Sequence, residues 1–292
     1  MRRLLVTGAS GDLGGPLVRL AAQTWDVTAL YFSRPERAPE RRRVQVDLRD
    51  PEATWRVVAD AHPDAIIHTA VSERSADHAR AIEQAAGSVV TAAQRAGCRL
   101  IFLSSDMVFD GANPPYDEDA PPCPTSDYGA AKARAEALVR AALRDYAIVR
   151  TSLIYDFTPA NRQVGWMAAR IAQGAPVTLF TDEVRQPVWA HNLAGALLEL
   201  ATLPYTGVLH IAGPEPLTRW DYGRALLDAV GLLDKARVEP ARAAEVAPDR
   251  PRDLTLDLTR ARQALRTPLL TIAAARAAWQ AGVGGGSVEI AR

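Results

Sequence analysis

The segment L-L-V-T-G-A-S-G-D-L-G-G at residues 4–15 determines the fold class of this 292-residue chain. A short apolar run, residues 4–7, leads into glycines at positions 8, 11 and 14, and an amphipathic stretch follows at residues 16–23. This order predicts a strand, a tight turn and a helix. Because glycine lacks a Cβ, backbone N–H groups can approach a pyrophosphate, and the helix N-terminus adds about half a positive charge. The segment therefore predicts a dinucleotide-binding turn, with a plain strand-to-helix connection as the alternative.

The alternation of strand and helix continues through the first half of the chain. We expect strands at residues 27–32, 44–46, 65–68, 100–103 and 147–151, with helices between them at 52–61, 75–95 and 126–144. Strands that alternate with helices pair in parallel and carry helices on both faces of the sheet. The prediction is an α/β fold with a doubly wound parallel sheet, and the looser pattern after Thr151 predicts a smaller second lobe.

Composition and charge exclude several classes of protein. The 34 basic and 34 acidic residues cancel, which argues against a nucleic-acid partner. No run of about 18 apolar residues occurs, so no membrane partner is expected, and the apolar run near the N-terminus is too short for a signal peptide. Cys98 and Cys123 lack His or Cys neighbours at ligand spacing, so we expect no metal site and a cytoplasmic location.

Tyr128 and Lys132 are candidate reacting groups, because residues four apart share one face of the predicted helix. An ammonium near a phenol lowers the tyrosine pKa from about 10 toward neutrality, which makes the phenol a workable proton donor to a developing alkoxide. Lysine is itself informative here, because only Lys132 and Lys235 are lysine among the 34 basic residues. The alternative is a surface tyrosine beside a surface lysine, but the glycine turn upstream favours catalysis.

Polar residues after other predicted strands complete the candidate site. Ser104 and Ser105 follow the strand at 100–103, at the carboxyl edge where α/β sheets bind ligands. One of these hydroxyls is expected to bind a substrate carbonyl. Asp47 either accepts from an adenine amine or caps the next turn. His68 lies in an apolar strand and is expected to be a core histidine.

The end of the second predicted strand indicates the cofactor preference. An NAD-preferring site offers a carboxylate to the adenosine ribose, but residues 31–34 contain no acid. Ser33 and Arg34 instead provide a hydroxyl and a guanidinium, which suit a 2′-phosphate. NADP(H) is therefore predicted in preference to NAD(H). The alternative is that Arg34, Arg37 and the arginines at 41–43 form a solvated run of charge in an arginine-rich chain.

Four motifs together resemble the extended short-chain dehydrogenase/reductase superfamily: T-G-A-S-G-D-L-G at 7–14, V-D-L at 46–48, S-S-D-M-V-F-D-G at 104–111 and Y-G-A-A-K at 128–132. Within it, three further segments resemble the dTDP-4-dehydrorhamnose reductases and their relatives: P-P-Y-D-E-D-A-P-P at 114–122, H-I-A-G-P-E at 210–215 and R-P-R-D-L-T-L-D at 250–257. The match spans nearly the whole chain. Met107 departs from this subgroup, which carries tyrosine at that position.

The resemblance implies a Rossmann-type NAD(P)-binding domain at residues 1–155, to which 181–203 return, and a mainly substrate-binding C-terminal lobe at 156–292. It also implies NADPH-dependent reduction of a nucleotide-activated 4-keto sugar, by a monomer or a homodimer. Tyr128 would act as the acid, Ser105 would orient the ketone and Lys132 would bind the nicotinamide ribose. The alternatives are an NAD-dependent sugar-nucleotide epimerase or dehydratase, and a non-catalytic regulatory NAD(P)-binding subunit.

The residue-level arguments and the resemblance together give two sets of expected contact residues. The implied cofactor contacts are Gly8, Ser10, Gly11, Asp12, Leu13, Gly14, Ser33, Arg34, Asp47, Leu48, Thr69, Ala70, Val71, Tyr128 and Lys132. The implied substrate contacts are Ser105, Met107, Asn161, Arg185 and Arg252.

Overall fold

A seven-stranded parallel sheet forms the centre of the molecule, and the computed structural model describes residues 1–37, 42–71 and 77–284. The strands are β1 (Arg2–Thr7), β2 (Trp25–Tyr31), β3 (Arg42–Gln45), β4 (Ala65–His68), β5 (Arg99–Ser105), β6 (Tyr146–Thr151), β7 (Ile154–Tyr155), β8 (Val177–Phe180), β9 (Val184–Arg185), β10 (Val188–Trp189), β11 (Gly207–His210), β12 (Leu217–Thr218) and β13 (Val238–Ala241). The order across the main sheet is β11-β6-β5-β4-β1-β2-β3. This is the doubly wound order, extended at one edge by β11, so the predicted fold class is confirmed.

Helices cover both faces of the sheet. They are α1 (Gly14–Ala21), α2 (Pro51–Ala61), α3 (His78–Ala96), α4 (Asp127–Ala142), α5 (Arg162–Ala172), α6 (Ala190–Leu200), α7 (Arg219–Ala229), α8 (Ala243–Val246), α9 (Thr259–Ala264) and α10 (Ile272–Gln280). Short 3₁₀ helices occupy Pro35–Arg37, Asp106–Val108 and Leu233–Lys235. Within the described residues, every helix is too short or too polar to span a lipid bilayer.

Strand β1 shows how the sequence pattern builds the two layers. Successive side chains of a strand point to opposite faces, and every residue from Leu4 to Thr7 is buried. Leu4 and Val6 pack in the cluster that includes α1 and α6, whereas Leu5 packs in the cluster that includes α2, α3 and α4. Continuous apolar runs are typical of parallel strands covered on both faces.

The switch point of the sheet lies between β1 and β4. Strand β1 pairs with β2 on one side and with β4 on the other, and Thr7 is level with His68. In doubly wound sheets, ligands bind outside the carboxyl ends of the strands at this point. The strands therefore bring the ends of β1, β4 and β5 to one edge.

The C-terminal half of the chain contributes to the core of the main sheet and also forms a core of its own. Helix α6, within the predicted return segment 181–203, packs against α1, and β11 follows that segment to complete the sheet. A separate cluster around Tyr155, Trp189 and Tyr222 forms the core of the smaller lobe. The domain boundary at residue 155 stays a prediction. The last eight residues of the predicted lobe and the first two of the predicted helix 75–95 lie outside the described residues.

Candidate active site

The glycine turn after β1 is tightly closed. The N–H of Gly11 donates to the carbonyl of Gly8 at 2.8 Å, and a Cβ on Gly14 would lie 2.1 Å from that carbonyl oxygen. Leu13 occupies the N-cap of α1 and has no side-chain acceptor to offer the first N–H groups of the helix. An anion such as a pyrophosphate can accept from these groups, so the turn fits a dinucleotide.

Asp12 connects this turn to the start of α5. Its carboxylate accepts from the guanidinium of Arg37 at 2.9 Å and from the N–H of Arg162 at 3.3 Å. Arg37 also donates to the carbonyl of Ala160 at 3.2 Å. The turn, the segment after β2 and the smaller lobe therefore meet at one point, and the Arg37 guanidinium is held by protein partners.

The end of β2 lies beside a second turn, at residues 47–50. Ser33 is exposed and Arg34 is half-buried. Asp47 accepts from both the backbone N–H and the side chain of Arg49, and the Arg49 guanidinium lowers the pKa of that carboxyl. Of the two predicted roles of Asp47, the structure shows the turn-forming contact. Arg49, which lies over the ring of Phe32 at 5.6 Å, was not singled out by the sequence.

Thr7 joins the carboxyl ends of β1 and β4. Its hydroxyl accepts from the N–H of Ala70 at 3.3 Å and lies 2.9 Å from Nδ1 of His68, while Thr69 donates to the Thr7 carbonyl at 2.7 Å. His68 is buried and stacks on Phe102. Burial, and then the nearby Lys132 charge, lower the pKa of His68 to about 3, so His68 is a neutral core histidine as predicted.

Ser105 ends β5 within a buried set of hydrogen bonds. Its hydroxyl donates to Asp106 at 3.1 Å and accepts from the N–H of Met107 at 3.2 Å. Asp106 also accepts from the Ser152 hydroxyl at 2.6 Å. Burial raises the pKa of the Asp106 carboxyl, and the charge of Arg185 opposes this rise. Asp106 thus organises the loop that follows β5.

Helix α4 carries Tyr128 and Lys132 on successive turns. Ser126 caps the helix by accepting from the N–H of Gly129 at 3.1 Å. A Cβ on Gly129 would lie 2.0 Å from the carbonyl oxygen of Met107, so only glycine lets the first turn approach the end of β5 so closely. The residue after Tyr128 therefore packs against the loop that follows Ser105.

Lys132 lies deep in this site. Its side chain is 1% exposed, and its ammonium donates to the carbonyl of Leu103 at 2.9 Å. Burial lowers the pKa of Lys132 to about 8, and the nearby Glu136 carboxylate opposes this change. The three predicted catalytic residues thus lie at the carboxyl edge of the sheet, next to the strand ends that carry the glycine turn.

Two of the predicted substrate contacts, Asn161 and Arg185, are buried. Asn161 caps α5 by accepting from the N–H of Gln163, and its buried Nδ2 has no hydrogen-bond partner among the described residues. Arg185 is 3% exposed and donates to the carbonyls of Val184, Pro251 and Arg252. It therefore braces the loop at 250–252 through backbone contacts.

A surface cavity of about 520 Å³ lies beside this loop and the segment that leads into α4. Its walls include Asp110, Thr125, Asp249, Arg250 and Arg252. The carboxylate of Asp110 is engaged by the Tyr116 hydroxyl at 2.6 Å, and Arg250 is paired with the buried Glu183 at 2.9 Å. Thr125 in its wall lies three positions before Tyr128 in the chain.

Arg219 and Arg250 are candidate ligand contacts that the sequence did not single out. Arg219 begins α7 close to Glu183 and Arg250, and burial lowers the pKa of its guanidinium. In the described part of the chain, one buried guanidinium nitrogen of Arg219 and one of Arg252 have no hydrogen-bond partner. With arginine at 32 positions, no local signal in the sequence marks Arg219 or Arg250, and the burial of Arg219 and the ion pair of Arg250 with Glu183 appear only in the structure.

The parallel sheet, the glycine turn at its switch point and the Tyr128–Lys132 pair beside Ser105 define an oxidoreductase of the extended short-chain dehydrogenase/reductase class. The chain belongs to the RmlD substrate binding domain family, whose model matches residues 1–281. The resemblance found in the motifs is thereby confirmed.

Individual relatives agree with this assignment. The chain is 33% identical over 265 residues to a dTDP-4-dehydrorhamnose reductase of Mycobacterium tuberculosis, covering 86% of this chain and 82% of the relative. It is 29% identical over 286 residues to methionine adenosyltransferase 2 subunit beta of Bos taurus, covering 89% and 81%. A solved structure of a hypothetical dTDP-4-dehydrorhamnose reductase from Sulfolobus tokodaii matches with a TM-score of 0.79 and 29% identity, over 94% of this chain and 99% of that chain.

Proposed function

We propose that the protein is an NADPH-dependent reductase of a nucleotide-activated 4-keto sugar. The observation that carries this proposal is the position of Tyr128 and Lys132 on α4, packed against the end of β5 where Ser105 lies. The name of the Mycobacterium tuberculosis relative, dTDP-4-dehydrorhamnose reductase, supports the reaction class. Retention of all three reacting groups favours an enzyme over a regulatory subunit.

The cofactor would occupy the carboxyl edge of the sheet. The turn at Gly8–Gly14 and the N-terminus of α1 would hold the pyrophosphate, Ser33 and Arg34 the 2′-phosphate, and Lys132 the nicotinamide ribose. The predicted contacts at Thr69, Ala70 and Val71 line the end of β4. When bound, the reduced nicotinamide supplies a hydride, and the protein provides orientation and the proton.

Tyr128 would donate the proton to the carbonyl oxygen of the substrate. The buried ammonium of Lys132 favours negative charge nearby and so assists the release of the phenolic proton. Ser105 would orient the carbonyl oxygen by a hydrogen bond. Its hydroxyl currently donates to Asp106, so it must rotate toward the substrate, and the N–H of Met107 remains available to hold it in place.

The smaller lobe would bind the diphosphate of the sugar nucleotide. Arg219, Arg252 and Asn161 each have a buried nitrogen without a hydrogen-bond partner among the described residues. Phosphate oxygens are strong acceptors that match guanidinium donors. Arg185 would contribute by holding the loop at 250–252 in position. Met107 presents a thioether where the rhamnose reductases have a phenol, so the sugar pocket would be less polar.

A substrate panel tests this function directly. The protein is mixed with NADPH and each of a set of nucleoside-diphosphate 4-keto sugars, and cofactor oxidation is followed by absorbance. We expect oxidation with at least one of them, and inhibition by the matching nucleoside diphosphate but weaker inhibition by the monophosphate. If none is reduced while NADPH remains tightly bound, the proposal fails and the regulatory-subunit alternative is favoured.

Replacing Arg34 should alter cofactor preference. In Arg34→Ala we expect the dissociation constant of NADPH to rise about 10-fold or more, because a hydrogen bond to a charged group contributes roughly 1.5–3 kcal/mol. The dissociation constant of NADH should change little, since NADH lacks the 2′-phosphate. Fluorescence titration of both cofactors measures the effect. Arg56→Ala on the exposed face of α2 removes the same charge elsewhere, and equal losses for both cofactors in Arg34→Ala would refute the phosphate role.

A further inference from the structure

Glu136 is a fully buried carboxylate one helical turn beyond Lys132. It is 0% exposed and accepts from the Ser104 hydroxyl at 2.6 Å. Arg150 on β6 donates to both of its oxygens, at 3.0 and 2.8 Å, and Arg140 on α4 donates at 2.9 Å. A buried charge is retained only where it is paired and hydrogen-bonded, so this carboxylate has a defined place in the fold.

Glu136 and Lys132 attach the same helix to consecutive residues of the same strand. Lys132 donates to the carbonyl of Leu103, and the next residue, Ser104, donates to Glu136. The two contacts are one turn apart on α4 and one residue apart on β5. They set the register of the helix that carries Tyr128 against the strand that ends at Ser105.

Several charged groups lie around the part of α4 that carries Lys132. Arg150 on β6 and Arg140 on α4 pair with Glu136, and Asp127 and Tyr128 lie in the first turn of α4. His68 on β4 and His210 on β11 are neutral near physiological pH, because burial lowers the pKa of each to about 3. The buried Asp106 carboxylate after β5 accepts from the hydroxyls of Ser105 and Ser152. The negative charge of Glu136, one helical turn from Lys132, favours the protonated ammonium.

We propose that Glu136 is a positioning residue, whose buried negative charge keeps the Lys132 ammonium protonated at the place where it acts. Arg140, at the surface, weakens this effect, because its guanidinium pairs with the same carboxylate. This proposal rests on the proposed function only for the role of Lys132 in the reaction. The charge coupling itself is a property of the protein without cofactor or substrate.

The lysine content of the chain allows a direct test. Only Lys132 and Lys235 are lysine, and Lys235 is exposed, so Lys235→Arg leaves Lys132 as the one lysine signal. In protein labelled with ¹³C at lysine Cε, the Cε chemical shift followed against pH reports Lys132 alone. We expect a midpoint near pH 8 in this background. Glu136→Gln keeps an acceptor for Ser104 but removes the charge, and should lower the midpoint by about one unit or more.

Arg140→Gln provides the opposite change. This substitution removes a cation that pairs with the Glu136 carboxylate, so the Lys132 midpoint should rise. Because Arg140 lies at the surface, the variant should still fold. Ser104→Ala is the matched control, which removes the hydrogen bond and leaves the charges, and should keep the midpoint of the background. If Glu136→Gln does not fold, the Lys132 midpoint in Arg140→Gln, compared with that in Ser104→Ala, still tests the proposal.

Two results would overturn the proposal: an unchanged midpoint in the charge variants, or a shift in Ser104→Ala as large as that in Glu136→Gln. With a substrate in hand, the alkaline limb of the kcat profile should move in the same directions as the midpoint. The titration uses no ligand, so its result does not depend on reductase activity. The charge coupling can be absent in an active reductase, and it can be present in a protein that reduces no substrate.

Discussion

Tyr128→Phe should reduce kcat on the ketone substrate by about 100-fold or more, because it removes a positioned proton donor from the site. The ring is retained, and Tyr128 is half-buried, so folding and the dissociation constant of NADPH should stay close to those of the parent protein. Single-turnover oxidation of NADPH with saturating substrate measures the chemical step. The loss should therefore lie in kcat and not in KM.

A second tyrosine provides the control for this variant. Tyr146 is also half-buried, but it begins β6 at the opposite, amino edge of the sheet. Tyr146→Phe should leave kcat within about twofold, as expected for a change remote from the reacting groups. Retention of more than a tenth of kcat in Tyr128→Phe would show that another group donates the proton.

Gly14→Ala should strongly weaken cofactor binding. The added Cβ would lie 2.1 Å from the carbonyl oxygen and 2.7 Å from the carbonyl carbon of Gly8, and both are backbone atoms that cannot rotate away. The turn must shift, and overpacking of this kind lowers the free energy of unfolding by about 1–3 kcal/mol. We expect the dissociation constant of NADPH to rise at least about 100-fold, equivalent to about 2.8 kcal/mol of binding free energy.

Gly15→Ala is the matched control, one residue further along the same helix. A Cβ there would have the flexible end of Arg19 as its nearest neighbour, at 3.4 Å. Alanine also favours a helix over glycine by up to about 1 kcal/mol, so stability should be kept or gain slightly. Thermal unfolding and cofactor titration of both variants test this. Equal effects of the two substitutions would mean that the tight turn is not what binds the cofactor.

The local parts of the site were accessible to sequence reasoning. The glycine spacing, the strand before it and the Tyr128–Lys132 interval are short-range features, and their chemistry follows from the residue types themselves. The strand predicted at 65–68 agrees with β4 of the structure. The core position of His68 was predicted from the apolar residues beside it in the same strand.

The roles of individual arginines could not be predicted from the sequence. Arg185, a predicted substrate contact, is buried and donates to backbone carbonyls, and the buried Arg219 was not singled out by the sequence. Of Arg34 and Arg37, which were weighed together, Arg37 pairs with Asp12, 25 residues away. Their side chains are chemically identical, and nothing in the neighbouring residues distinguishes them.

The amino-acid sequence alone determined the α/β class, and it predicted a phosphate turn and the Tyr128–Lys132 pair, since each depends on residues close together in the chain. Only the tertiary structure decided which charges are buried and which partners they have. Ser104 and Glu136 meet across 32 positions, and Asp106 and Ser152 across 46. Burial and pairing arise when distant strands and helices pack, and the free energy of a charge depends on that environment.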